Sequence, residues 1–397
     1  MPTPNKKLSA TISVWSNSYG APTGYGQQAE HLINKLKQAG ADVAMLSNYG
    51  LEGRPSKIET PYGKVPHFPR GIDAYSNDSG PLDHKNWISS NKEQPNLMIT
   101  LYDVWVLTAK AFNDFPIAAW VPLDHISMPP SVEAFLTKEN VTPIAMSPHG
   151  VRQMESRKIE CEYVPHAIDT KVYKPTDKIQ GRDINEYMGI DDDTFLVGMV
   201  AANKANGMVH RKAYSENILA FSIFAKDHPN AKLYIHTDPI GMAGGWNLLP
   251  LLKACGLEKD QVLLPNPDDY RFGYEQENLA AIYSRMDVLL ATSLGEGFGV
   301  PTVEALGCGT RVIGSGWAAT PDLISEDSWM VEGQPSWNPS QNAWWQVPSV
   351  PSIVSALKLA SKETERTSQQ AVDFAKQFDI DTVWQNHWMP TLTKLLK

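Results

Sequence analysis

The stretch Glu296–Gly309, EGFGVPTVEALGCG, decides how this chain is read. Just before it, DVLLATS (Asp287–Ser293) is a continuous apolar run of the kind a buried parallel strand needs. Pro301 suits the first turn of a helix, where its missing N–H is not required. The expected layout is strand, glycine turn and helix N-terminus, with Glu296 before the glycines and Glu304 in the first helical turn. Such a turn exposes backbone N–H groups at the positive end of a helix dipole, which together favour an anion. Two carboxylates beside an anion site suit a ligand carrying hydroxyls as well as phosphates, one glutamate for a sugar ring and the other for a ribose.

An ordinary βα unit with a glycine turn and a capping glutamate would explain part of this pattern. The full combination of strand, EGFG, proline, second glutamate, small-residue helix and following strand TRVIGS (Thr310–Ser315) is more specific. It resembles the E-x7-E motif of retaining glycosyltransferases with the GT-B fold, in particular glycosyltransferase family 4 (glycosyl transferases group 1). The resemblance implies an α/β protein of two doubly wound Rossmann-like domains facing across a cleft, with the C-terminal helix crossing back to the first domain. It implies transfer of a hexose from a nucleoside-diphosphate sugar, UDP-glucose-like, to a hydroxyl with retention of configuration. No metal and no cofactor are implied beyond the nucleotide sugar as co-substrate. Glu296 would bind the donor sugar and support positive charge at its reacting carbon. Glu304 would bind the ribose, and backbone N–H groups around Gly297, Phe298, Gly299 and Val300 would hold sugar or phosphate oxygens. A sugar synthase or epimerase of the same fold, or a non-catalytic nucleotide-sugar-binding partner of another transferase, stays open beside this reading.

Composition agrees with two ordinary domains. The 397 residues are 42% hydrophobic and 20% charged, as in globular proteins. No run approaches the ~20 apolar residues of a membrane span, and the N-terminal MPTPNKKLSATISVW lacks a signal-peptide apolar core. Cys161, Cys255 and Cys308 have no metal-ligand spacing and cannot form a disulfide framework, so the chain reads as cytoplasmic. A net charge of −9 argues against a mainly electrostatic grip on nucleic acid.

Apolar strands alternate with helical or loop segments through both halves, which implies parallel βαβ units in two sets. The first set runs Ala10–Asn17, Ala41–Asn48, Asn96–Asp103, Ile117–Asp124, Thr142–His149 and Cys161–Ala167. The second runs Thr194–Asn203, Ala231–Asp238, Gln261–Pro267, Asp287–Ser293 and Thr310–Ser315. The polar stretch 169–191 separates them. The expected division is residues 1–172 on the acceptor side, 190–376 for the nucleotide sugar and a terminal helix in 377–397. Tyr49–Pro95 reads as a long loop without sustained period, where acceptor choice would reside. Ser336–Pro348 reads as an aromatic loop without a role.

Further residues point at chemistry. Arg211 and Lys212 precede the helix Ala213–Lys226. A fixed cation pair stabilises a leaving diphosphate, and cations at a helix start are unfavoured without an anion. The family carries an Arg…Lys pair here, usually separated, so Lys204 is an alternative partner. Gly24-Tyr25-Gly26 precedes a helix (Gln27–Ala39) and resembles the family's glycine loop near the donor, although strand-to-helix turns often use glycine. His125 at the end of a strand is the match for the family's functional histidine. His149 competes, and His166 lies in VPHAID, similar to a structural family stretch. Asp103 could contact the acceptor or cap a helix, and Asp191–Asp193 reads as a turn rather than a metal site. The acceptor class, whether glycan, metabolite, protein or modified DNA base, stays open.

Overall fold

Strand and helix alternate through two units, each with its own sheet, in a computed structural model that describes residues 7–49, 53–90, 94–205, 207–242 and 244–397. Contacts assign Met1–Leu123, Ser127–Ala167 and Ile380–Lys397 to a first unit, and Asp124–Ile126 with Ile168–Asp379 to a second.

The first unit contains β1 (Thr11–Asn17), α1 (Gly24–Gln38), β2 (Asp42–Tyr49), β3 (Ser56–Thr60), β4 (Gly63–Phe68), α2 (Gly80–Ser89), β5 (Asn96–Leu101), β6 (Ile117–Val121), α3 (Pro130–Leu136), β7 (Val141–Ala145), α4 (Pro148–Ser156) and β8 (Glu162–Tyr163). Its sheet runs β3-β4-β2-β1-β5-β6-β7-β8, parallel except for the β3–β4 hairpin. Central strands are buried along nearly their whole length because both faces are covered. Trp15 stacks on Phe112 at 4.9 Å in the core. The stretch expected as a loop, Tyr49–Pro95, instead holds β3, β4 and α2. Strands at and next to the sheet edge bury only a few side chains, here Val65 and His67 of β4, so no long apolar run announces them. Residues 50–52 and 91–93 of that stretch lie outside the described residues.

The C-terminal segment is helical over Ile380–Leu395 with one π turn at Trp384–Trp388. It packs in the first unit as expected. Trp388 meets Trp120 edge-on at 4.9 Å, and His387 donates to the Tyr163 carbonyl at 3.2 Å.

The second unit contains β9 (Lys178–Ile179), β10 (Arg182–Asp183), α5 (Ile184–Met188), β11 (Phe195–Val200), α6 (Tyr214–Ala225), β12 (Ala231–His236), α7 (Leu249–Ala254), β13 (Val262–Leu263), α8 (Pro267–Phe272), α9 (Gln276–Arg285), β14 (Val288–Ala291), α10 (Val300–Gly307), β15 (Val312–Ser315), β16 (Trp329–Val331), β17 (Gly333–Asn338), β18 (Ala343–Pro348), α11 (Val350–Ala360) and α12 (Gln369–Ala375). Its main sheet runs β13-β12-β11-β14-β15-β16, all parallel. The strand order reverses direction between β11 and β14, the topological switch point at whose carboxyl ends such sheets bind ligands. The aromatic loop of the sequence reading is the antiparallel hairpin β17–β18. Asp191–Asp193 form a turn packed on the buried Arg285, which donates to the carbonyls of Asp191 at 3.3 Å and Thr194 at 3.0 Å.

Candidate donor site

The loop after β11 is stapled before it reaches the cations. Asn203 donates to the carbonyls of Asp238 at 2.8 Å and Trp246 at 2.7 Å, and its Oδ1 accepts from Trp246 N and His210 Nε2, each at 2.9 Å. His210 Nδ1 in turn accepts from Lys212 N at 3.3 Å. Burial, and then Lys212 and Arg211, push the His210 ring down to about 4, so it is neutral near pH 7. Ala213 follows at φ +48, a left-handed conformation uncommon for a residue with a side chain. Such local strain persists only where the surroundings enforce it. Here Leu294 N donates to the Arg211 carbonyl at 2.7 Å and ties the loop to the segment after β14.

The expected residues Arg211, Lys212 and Glu296 come together at this switch point. Arg211 Nη1 donates to the Gly295 carbonyl at 2.7 Å and to Glu296 Oε2 at 3.0 Å, while Lys212 Nζ pairs with Glu296 Oε1. Burial would raise the Glu296 carboxyl, but Lys212 and Arg211 outweigh it and bring it down to about 2. The cation pair is therefore held adjacent to an ionised carboxylate, and both cations bear on one point. Gly295 is required by close approach, since a side-chain carbon there would stand 2.0 Å from the Asp124 carbonyl oxygen.

Gly299, at φ +96, precedes α10 and turns the chain into the helix. Gly297, Phe298 and Val300 are buried there, and the Phe298 ring packs edge-on against Phe378 at 5.5 Å. First-turn N–H groups of a helix have no intrahelical acceptor, which leaves this end suited to an anion. Glu304 departs from expectation in place and partners. It sits beyond the first turn of α10, which holds no acidic residue. It is buried, with Tyr283 donating to its Oε2 at 2.9 Å. Burial raises its carboxyl to about 7, against the lowering effect of the Tyr173 and Tyr283 hydroxyls.

His125 joins this unit through contacts that the sequence did not reveal. Its Nδ1 lies 2.6 Å from Asp124 Oδ1, and Asp124 Oδ2 lies 3.7 Å from Arg211 Nη1. Burial pushes the Asp124 carboxyl up, but His125 and Arg211 prevail and lower it. Asn338 Nδ2 meets His125 Nε2 at 3.0 Å, and the Trp345 ring stacks on His125 at 4.9 Å. Asp124, Asn338 and Trp345 were therefore missed as site residues. The N-P-S triplet at Asn338–Ser340, an Asx-turn signal, was the available clue.

Gly24 and Gly26 lie in the first unit, at the start of α1. Thr23 caps the helix, its Oγ1 accepting from Gly26 N at 3.0 Å and from Asn17 at 2.7 Å. A side-chain carbon on Gly26 would stand 2.3 Å from the Ala21 carbonyl oxygen, so packing alone demands glycine there. His149 is buried in the first turn of α4, and His166 is buried against Trp120 at 4.6 Å, burial pushing its ring down to about 3. Lys204 is exposed, and Asp103 precedes a short helical turn without capping it through its side chain.

Residues 218–338 match the family model for glycosyl transferases group 1. The fold recurs in solved structures. Sucrose-phosphate synthase from Thermosynechococcus elongatus superposes with a TM-score of 0.71 at 16% identity, over 98% of this chain and 99% of that one. Anabaena HepE in complex with UDP and glucose gives 0.67 at 16% identity over 97% and 100%. The α,α-trehalose 6-phosphate synthase of Burkholderia multivorans gives 0.67 at 14% over 98% and 99%. The fold is GT-B, and residues 218–338 match the group 1 glycosyl transferase model. No curated protein matches the chain by sequence. Among the described residues of this GT-B chain, no helix is long and apolar enough to cross a membrane.

Proposed function

We propose that the protein is a retaining glycosyltransferase that moves a hexose from a nucleoside diphosphate, UDP-glucose being the first candidate donor, to a hydroxyl acceptor. The observation that carries this reading is the group of Arg211, Lys212 and Glu296 at the switch point of the second sheet. The matched family segment contains Glu296 and Glu304, and HepE has been solved in complex with UDP-glucose. In this reading Arg211 and Lys212 meet the charge that grows on the leaving diphosphate, with the N-terminus of α10 beside them. Glu296, kept ionised, accepts from the sugar hydroxyls and favours positive charge at the reacting carbon. Glu304 accepts from the ribose hydroxyls. The first unit takes the acceptor, and the cations make a metal unnecessary.

The test incubates the purified chain with UDP-glucose and a panel of hydroxyl acceptors, then reads free UDP and the anomeric configuration of the product by NMR. Release of UDP that survives EDTA, with an α-linked product from the α-linked donor, is expected. An inverted product, or activity restored only by magnesium or manganese, would overturn the mechanism. No binding of any nucleotide sugar would overturn the function.

A further inference from the structure

The hairpin β17–β18 reaches the site through one amide. Asn338 Oδ1 accepts from Ser340 N at 3.1 Å and from Ser340 Oγ at 2.7 Å. A backbone N–H can only donate, so Oδ1 must face Ser340 and the amide orientation follows from its own turn. Nδ2 is then the atom facing His125 Nε2 at 3.0 Å, and an amide nitrogen can only donate. His125 Nε2 is therefore an acceptor and its ring proton sits on Nδ1, aimed at Asp124 Oδ1 at 2.6 Å. The hairpin reinforces this arrangement along its backbone. Ile126 N donates to the Trp344 carbonyl at 3.0 Å, Trp344 N returns a bond to the Ile126 carbonyl at 2.6 Å, and Gln346 N donates to the Leu294 carbonyl at 2.9 Å. Trp345 lies nearly parallel to the His125 ring, at an interplanar angle of 16°.

We propose that Asn338 is a positioning residue of the donor site, fixing through His125 and Asp124 the direction in which Arg211 is held. The proposal rests on the glycosyltransferase reading for its consequence and on the hairpin geometry for its cause. With one oxygen bound by His125, Asp124 keeps its other oxygen 3.7 Å from Arg211 Nη1, a distance that leaves the guanidinium's shorter bonds to Gly295 and Glu296. The guanidinium then points where Lys212 points. Both ring nitrogens of His125 have partners inside this unit, and through Nδ1 it orients Asp124.

Asn338→Asp tests this with a side chain of the same shape. One carboxylate oxygen still accepts from Ser340, while the group facing Nε2 changes from donor to acceptor. With acceptors on both sides, the ring takes a second proton and draws the Asp124 charge toward itself, loosening Arg211. The probe is the pair of imidazole nitrogen shifts in 15N-histidine-labelled full-length protein at pH 8, assigned by their loss in His125→Gln. The wild type should show a protonated Nδ1 and a bare Nε2, and Asn338→Asp should show both protonated. Turnover of UDP-glucose in Asn338→Asp should fall about tenfold or more, as when a fixed tautomer is lost, and UDP should bind more weakly because Arg211 is the group loosened. A protonated Nε2 in the wild type overturns the proposal. So does an unaltered ring in Asn338→Asp that melts as the wild type does. If Asn338→Asp melts early, Asn338→Ala provides the second arm by removing the donor that faces Nε2, and an undisturbed His125 ring together with full turnover there overturns the proposal as well. The nitrogen shifts need no donor, so inactivity toward every sugar nucleotide would sink the function and leave this arm standing.

Discussion

At the switch point of the second unit, between β11 and β14, the loops present two cations and a carboxylate, Arg211 and Lys212 with Glu296, and Asp124 from the segment after β6 joins them. At the same topological place in the first unit, between β1 and β5, they present Gly24 to Gly26 at a capped helix start and Asp103 after β5. Sheet order alone gives each unit a ligand-binding edge. The second adds a pair of adjacent fixed cations to it. The difference shows that doubly wound topology selects where a ligand sits, while the loop residues select which part of it. In the function proposed above, the second unit meets the diphosphate and the charge that develops on it, while the first offers close backbone approach at Gly24 to Gly26.

The largest expected effect breaks that contrast if it fails. Arg211→Ala and Lys212→Ala each remove a preorganised donor from developing charge, and turnover should fall about 100- to 1,000-fold. Gly26→Ala, by contrast, should act through packing against Ala21 and lower the melting temperature, with less effect on donor hydrolysis per folded molecule. Initial rates of UDP release, scaled to folded protein, decide between them. A larger rate loss in Gly26→Ala than in Arg211→Ala would move the chemistry to the first unit.

Glu304 sharpens the comparison within the second unit. Its carboxyl is raised to about 7 by burial, whereas Glu296 is brought down to about 2 by Lys212 and Arg211. Glu304→Gln should weaken UDP binding by roughly 10- to 100-fold, the loss of one charged hydrogen bond of about 1.5–3 kcal/mol. In the wild type, UDP affinity should climb as pH rises through about 7 and Glu304 ionises, and the slope should vanish in Glu304→Gln. Titration calorimetry from pH 6 to pH 8 reads both. Stability carries the same signature with a definite sign. The folded form holds the Glu304 proton more tightly than the unfolded chain, whose ordinary value is 4.5. Its contribution is complete below that value and is lost as pH rises through about 7. Relative to Glu304→Gln, the wild type should therefore melt progressively earlier across that window. A constant gap between the two would remove the buried, proton-bearing Glu304.

Much of this was legible before any coordinates, and for physical reasons. Continuous apolar runs such as DVLLATS can only be strands buried on both faces, and the EGFGVP turn needs the left-handed Gly299 and a proline inside the helix. What escaped notice has a different character. Strands β3, β4, β17 and β18 lie in hairpins; the first three bury few side chains, so period-two patterning is weak, and in β18 consecutive buried residues with adjacent tryptophans blur it. Spacing alone puts Glu304 at the helix start, but the helix begins at Val300 and places it one turn deeper, among tyrosines. Asn338 lies more than two hundred residues from His125 in sequence. No local pattern joins such residues. Their bond exists only because β17 and β18 fold back beside Asp124–Ile126.

The smallest effect probes the first unit by itself. Between β4 and α2 the chain presents Ile72, 99% exposed, and Tyr75, 40% exposed, on a turn held by Asp73 and Asp78. Asp73 Oδ1 accepts from Tyr75 N at 2.9 Å and Asn77 N at 3.0 Å, and these bonds hold its carboxyl below the usual range. The turn is therefore ordered by its own backbone bonds; Ile72 is left exposed, and the Tyr75 ring meets Tyr102 edge-on at 6.3 Å. Exposed single hydrophobics are common and need no purpose, so the expectation is modest. Ile72→Ser and Tyr75→Ala should each change the acceptor KM by roughly two- to tenfold, the worth of one partly buried apolar contact. UDP release without acceptor should stay within about twofold, because no donor contact is removed. Measuring both rates for each variant separates acceptor binding from donor chemistry. Equal losses in the two rates would show that this turn supports the fold rather than the acceptor, and the division of labour between the units would have to be drawn elsewhere.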